Sequence, residues 1–107
     1  MWFDKYLDGA IGYEYFDAEG QVGLIDWDDR PHATITDLEA ITSGAGFGTM
    51  LVKKAIAKAR EIGVKEVRAQ AEPTPQARGF WNSMSRLGFE EVGEDTFALK
   101  LESDDDA

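Results

Sequence analysis

The sequence predicts a single α+β domain: a mixed, mostly antiparallel sheet around a β-loop-α-β-α core. Three observations predict it. Apolar and polar residues alternate with a strand's two-residue period over residues 11–27. Apolar residues then recur at helical spacing over residues 48–62. A glycine cluster lies between a third β-rich run and that helix. Strand, loop, helix and strand thus follow one another, which makes one parallel pair in an otherwise antiparallel sheet.

The elements follow in order. Ile11, Tyr13 and Tyr15 alternate with Gly12, Glu14 and Phe16, and residues 17–20 supply a hairpin turn. Val22, Leu24 and Asp26 then alternate with Gly23, Ile25 and Trp27. Residues 28–31 are a polar break, and residues 33–41, rich in Thr and Ile, read as a third strand. In the helix, Leu51, Val52, Ala55, Ile56, Ala59 and Ile62 form the apolar stripe, while Lys53, Lys54, Lys58 and Arg60 take polar positions. Gly63 is its C-terminal cap. Residues 64–71 read as a strand with Val67, Ala69 and Ala71 on one face, and residues 72–75 break it. A second helix is expected over residues 76–87, ended by Gly88, and a last strand over residues 96–101. The expected order is β-β-β-loop-α-β-α-β.

Composition bounds the function. The 107 residues suit one domain, and 43% hydrophobic residues suffice for one modest core over residues 1–101. No run of 18 apolar residues occurs, and the first ten residues are too polar and acidic for a signal peptide, so a cytoplasmic protein without a membrane segment is expected. The absence of cysteine excludes disulfides, thiolate metal sites and a cysteine nucleophile. No His/Asp/Glu cluster has metal-ligand spacing, so no metal is expected. The net charge of −10 argues against a nucleic-acid surface, which needs clustered Lys and Arg. It favours a cationic partner, either an amine or a lysine-bearing protein surface, although solubility alone also accounts for it. Residues 102–107 read as a solvated acidic tail.

A glycine cluster between a strand and a helix suits an anion, because helix-terminal N–H groups lack partners and the helix dipole favours negative charge. A tight turn without a ligand is the alternative. A phosphate loop of the Walker type needs Lys before its Ser or Thr, whereas Thr49 follows Gly48 directly. A dinucleotide fingerprint needs a third glycine where Thr49 or Leu51 stands. Both nucleotide patterns fail on residues.

The segment from Ser43 through Gly44, Ala45, Gly46, Phe47 and Gly48 to Thr49, with the helix and strand after it, resembles the pyrophosphate loop of the GNAT superfamily of N-acetyltransferases. Gly46-Phe47-Gly48 matches its Gly-x-Gly core, and Ser43 stands at the position usually held by Gln or Arg. Downstream, Ala77, Phe80, Gly88 and Phe89 match a second family pattern, with Thr74 in place of Asn and Trp81 in place of Tyr. The resemblance covers residues 33–101 and implies a GNAT-like fold.

It also implies acetyl transfer from acetyl-CoA to an amine: a protein lysine, an N-terminus or a small polyamine. The cofactor-binding residues it implies are Leu38, Ala40 and Ile41 on the strand, residues 43–49 of the loop, and Thr74, Phe80 and Trp81. Lys53, Lys54 and Arg78 could reach phosphates. An attacking amine must lose a proton, and a half-buried strand carboxylate can be tuned to take it. Glu39 is the first candidate and Asp37 the second. His32 reads as a surface histidine. Trp81 has no acidic proton for the departing thiolate, which leaves Ser83, Ser85 or water. Trp2, Phe3, Trp27, Tyr13 and Tyr15 belong to core packing or to an acceptor groove. The short N-terminal part suits a macromolecular acceptor or a homodimer. A non-catalytic domain of this fold, sensing acetyl-CoA or acting as an acidic interaction or inhibitor module, is the competing reading.

Overall fold

The computed structural model describes residues 1–42, 44 and 46–101; Ser43, Ala45 and the acidic tail of residues 102–107 lie outside the described residues. Among the described residues, seven strands form one sheet: β1 (Trp2–Leu7), β2 (Ala10–Asp17), β3 (Gly20–Trp27), β4 (His32–Ala40), β5 (Glu66–Gln70), β6 (Glu90–Gly93) and β7 (Thr96–Lys100). Helix α1 (Phe47–Ile62) joins β4 to β5, and α2 (Pro75–Ser83) tightens into a 3₁₀ turn, Met84–Leu87, before β6. The sheet order is β1-β2-β3-β4-β5-β7-β6. Only β4 and β5 pair in parallel; the other neighbours are antiparallel. This is the mixed, mostly antiparallel architecture that the pattern of elements implies.

Two strands escaped the sequence reading. β1 forms a hairpin with β2 around Asp8 and Gly9, with Gly9 at φ 82. An Asp-Gly pair between alternating runs is a hairpin signal, and here it was the available one. The alternation itself is blurred, because aromatic and charged residues occur on both faces of β1. β6 is exposed along its whole length, so it has no apolar period to read. Its turn into β7 is marked only by Asp95 at φ 56.

The second helix starts at Pro75, one residue before its expected start. Thr74 caps it, its Oγ1 accepting the Ala77 N–H at 3.1 Å. Proline is favoured in the first turn because its missing N–H would have no partner there. Gly88, at φ 107, ends the 3₁₀ turn with its N–H on Met84 and Ser85 carbonyls.

Both helices pack on one face of the sheet. Leu51, Val52, Ala55 and Ala59 of α1 meet Val22, Leu24, Ala33, Ile35 and Val67 in one buried cluster. Trp81 of α2 stacks on Phe97, with ring centroids 6.2 Å apart, and meets Phe89 edge-on at 5.4 Å. Tyr13 and Tyr15 belong to this packing as well. Lys58 lies 5.4 Å from the Trp2 ring and 5.0 Å from Tyr13, and Lys54 lies 5.2 Å from Tyr15. The opposite face carries no helix among the described residues. On it, Glu14, Gly23 and Thr36 stand in register across β2, β3 and β4.

Candidate active site

The site is built by a parallel pair that stops short. β4 and β5 pair from His32–Glu66 to Ile35–Ala69 and no further. Beyond Ile35, β4 keeps only β3 as a partner, and that ladder is interrupted. Gly23 faces Thr36 and Gln21 faces Glu39, so β4 fits Asp37 and Leu38 opposite the single Val22. This is a β-bulge. Asp37 takes the left-handed conformation there, at φ 51, which Asp tolerates better than most residues.

A cleft of about 740 Å³ opens between the separating strands and runs to the start of α1. Ile35, Thr36, Asp37, Leu38 and Ala40 line one wall, and Ala69, Gln70 and Glu72 line the other. Gly44, Gly46, Gly48 and Thr49 form one end, while Thr74, Phe80, Trp81, Ser83 and Arg86 close over it.

The glycine end suits an anion on observations beyond its composition. Gly46 is the N-cap of α1 at φ 83, without a side-chain cap bond, and the first turn holds no acidic residue. The positive pole of a 16-residue helix thus faces the cleft without an internal counter-charge. Gly48 has a different purpose. A Cβ there would meet the Phe80 ring at 2.9 Å, so its absence lets Phe80 lie against the first turn of α1. The two family-like patterns, whose Gly48 and Phe80 are 32 positions apart, are therefore one packing unit.

Arg86 is one residue that sequence reasoning missed. Its Nη2 donates to Thr49 Oγ1 at 3.1 Å, which carries a guanidinium from the end of the 3₁₀ turn to the glycine end. The two residues are 37 positions apart, and no local pattern announces the contact. The cations considered from the sequence are placed elsewhere. Arg78 is bound to Asp95, with Nε 2.8 Å from Oδ1, Lys54 sits over Tyr15, and Lys53 is exposed on the helix.

Of the candidate site residues, the cleft gathers Asp37, Leu38, Ala40, Gly44, Gly46, Gly48, Thr49, Thr74, Phe80, Trp81 and Ser83. It does not gather Glu39, Ile41 or Phe47. Glu39 is exposed on β4 opposite Gln21, one position beyond the bulge; Asp37 is exposed too, but it lines the cleft. Ile41 is exposed, with its N–H on the Glu19 carbonyl at 2.7 Å. Ser83 lines the cleft, but its hydroxyl donates to the Phe80 carbonyl at 2.6 Å, so the proton considered for the thiolate is already engaged. His32 lies at the other end of β4. Burial, with Arg68 and Arg30 nearby, lowers its pKa against the pull of Glu66.

Glu14, not singled out from the sequence, stands beside Asp37 of the cleft lining. Burial and the Asp37 carboxyl push its pKa up, and Lys5 works in the opposite direction. Among the described residues no group of His, Asp and Glu could hold a metal ion, and no helix is long and apolar enough to cross a membrane.

No protein-family model matches the chain, and no curated protein matches it. Solved structures do. The anti-CRISPR protein AcrVA5 superposes with a TM-score of 0.66 at 19% identity, over 81% of this chain and 96% of that one. A GNAT-family acetyltransferase from Staphylococcus aureus Mu50 superposes with a TM-score of 0.67 at 14% identity, over 88% of this chain and 69% of that one. A Bacillus subtilis acetyltransferase, solved in complex with CoA, gives 0.58 at 16% identity over 91% and 80%. The chain has the GNAT fold.

Proposed function

We propose that the chain binds acetyl-CoA in this cleft and transfers the acetyl group to an amine. One observation carries the reading: a single cleft joins the uncapped, glycine-lined start of α1 to a carboxylate at the β4 bulge, through the gap between two parallel strands. The α1 end fits a pyrophosphate, the unpaired wall of β4 offers backbone groups to an extended amide chain, and the Asp37 end fits the reacting group. That a fold neighbour was crystallised with CoA supports the same assignment.

Bound acetyl-CoA supplies an acyl group activated as a thioester. The chain's own residues do the rest. The N–H groups of the α1 start and Arg86 hold the phosphates, with Thr49 orienting the guanidinium. The loop pattern brings no Arg or Gln of its own, and Arg86 restores positive charge there from α2's side. Phe80 and Trp81 present aromatic surface to the cleft from α2's side. Asp37 takes the proton that an ammonium must lose before it can attack. A net charge of −10 draws a cationic acceptor towards that carboxylate, which favours a lysine on a basic protein surface.

The non-catalytic reading has one observation in its favour. The aromatic residue at the usual Tyr position is the buried Trp81, and the nearby Ser83 hydroxyl is engaged. Thiol release from acetyl-CoA across a panel of amines and basic proteins separates the two. Turnover above the hydrolysis background is expected; binding without turnover would leave an acetyl-CoA sensor.

Arg86→Ala tests the phosphate assignment. A hydrogen bond to a charged group contributes about 1.5–3 kcal/mol, so affinity for acetyl-CoA should fall roughly 10–100-fold. Titration calorimetry reads this, and Arg86→Lys should recover part of the loss. Unchanged affinity in Arg86→Ala would remove Arg86 from the site.

A further inference from the structure

We infer that Glu14 and Asp37 form one proton-binding unit at the mouth of the cleft, and that Gly23 is the gap through which Glu14 reaches it. The inference rests on the acetyltransferase reading above and names the group that sets its pH dependence.

The geometry begins with register. Glu14 of β2, Gly23 of β3 and Thr36 of β4 stand side by side on the sheet face that carries no helix. A side chain on β3 would separate β2 from β4. Gly23 has none, and Glu14 fills the space. A Cβ at Gly23 would meet Glu14 Oε2 at 2.6 Å and Thr36 Oγ1 at 2.5 Å. The Glu14 carboxyl therefore lies across β3 and against β4, one residue before the bulge. There Asp37, held at φ 51, stands at the cleft lining.

Two carboxyls so placed repel when both are ionised, which favours a proton on Glu14. The charged groups facing Glu14 are Asp37 from β4 and Lys5 from β1; β3 contributes none. Burial and Asp37 raise the proton affinity of Glu14, and Lys5 offsets part of the rise. A base works best when its pKa approaches the working pH, so a Glu14 carboxyl whose proton affinity is raised is better matched to an ammonium than an ordinary one.

The proton count closes. The ammonium loses one proton to the pair through Asp37, and the neutral nitrogen forms the C–N bond as the C–S bond breaks. The second proton lost from nitrogen neutralises the departing thiolate by way of water, and the proton on the pair passes to solvent. Asp37 touches the acceptor; Glu14 is a positioning residue that acts through it.

Glu14→Gln and Gly23→Ala test the pair from two sides. Gln keeps the shape but cannot share the proton. The alanine methyl pushes the flexible Glu14 carboxyl away while leaving Asp37 in place. Both variants should lower kcat about tenfold, towards the small end of general-base effects. Both should move the acidic limb of the kcat/KM profile to lower pH and leave acetyl-CoA affinity unchanged. Folding is not at risk in Glu14→Gln. A carboxyl whose folded pKa is raised stabilises the fold below its unfolded pKa, and that contribution is lost as pH rises through the folded pKa. The variant should thus melt no lower than the parent at neutral pH.

Carbon-13 titration of the Glu14 carboxyl reads the pair without turnover. Its pKa should lie above that of an ordinary glutamate and fall in Asp37→Asn and in Gly23→Ala. An ordinary Glu14 titration, or an acidic limb that stays put in both variants, overturns the inference. Loss of acetyl-CoA binding by the parent protein would instead overturn the acetyltransferase reading, with the carboxyl titration still readable.

Discussion

Trp81→Ala is expected to destabilise the fold by about 3–5 kcal/mol, the range for deleting a large aromatic side chain from a core. Trp81 is only 6% exposed and touches three other rings, Phe80, Phe89 and Phe97. It ties α2 to the end of the sheet built from β5, β7 and β6, where Ala69 and Ala71 bring little bulk of their own. Small domains have roughly 5–15 kcal/mol in total, so this one change removes a large share. Urea unfolding measures it, with a lower midpoint and an unchanged slope as the expected signature. Trp81→Phe should recover most of the loss. A midpoint shift below about 1 kcal/mol in Trp81→Ala would mean that the aromatic cluster does not hold α2 in place. The same residue lines the cleft, so one wall of the proposed cofactor site is part of the core.

Gly46→Val is expected to abolish tight cofactor binding in a protein that still folds. Gly46 sits at φ 83, a conformation that costs an L-residue roughly 1–2 kcal/mol and a β-branched one more. The side chain itself would meet nothing within 4 Å, so the core is undisturbed. The strain is relieved by rotating the backbone at the start of α1, which turns its N–H groups from the anion. Two lost charge-assisted bonds at about 1.5–3 kcal/mol each correspond to roughly 10²–10⁴-fold in affinity. Calorimetry with acetyl-CoA and circular dichroism on the same sample give both readings. A folded variant with undiminished affinity would refute the loop assignment.

The fold was legible wherever burial leaves a period. The stripe of Leu51, Val52, Ala55 and Ala59 and the alternation of Val22 and Leu24 set α1 and β3 almost to the residue. β6 was illegible for the converse reason, since no residue of it is buried. Gly46 and Gly48 were visible as a pair, but their separate roles were not. One provides a left-handed cap and the other a slot for Phe80, and only the packing tells them apart.

The site was legible as far as the chain is local. Asp37 and the loop glycines lie within 12 positions and were found together. Arg86 and Glu14 arrive through tertiary contacts, from 37 positions away in one case and across a missing side chain in the other. Glu39 is the first candidate from the sequence because it lies at the end of the apolar strand, just before the glycine loop. The bulge inserts one residue between Thr36 and Glu39, where Asp37 but not Glu39 lines the cleft, and it leaves no trace in the hydrophobic pattern.

The cleft between β4, β5 and the start of α1 is proposed as an acetyl-CoA site. Titration calorimetry of the intact protein with acetyl-CoA tests it most directly. One site per chain is expected, with a dissociation constant in about the 1 μM to 1 mM range usual for enzymes and their substrates, weakened by Arg86→Ala and lost in Gly46→Val. No heat of binding at millimolar acetyl-CoA, from a protein shown to be folded, would contradict it.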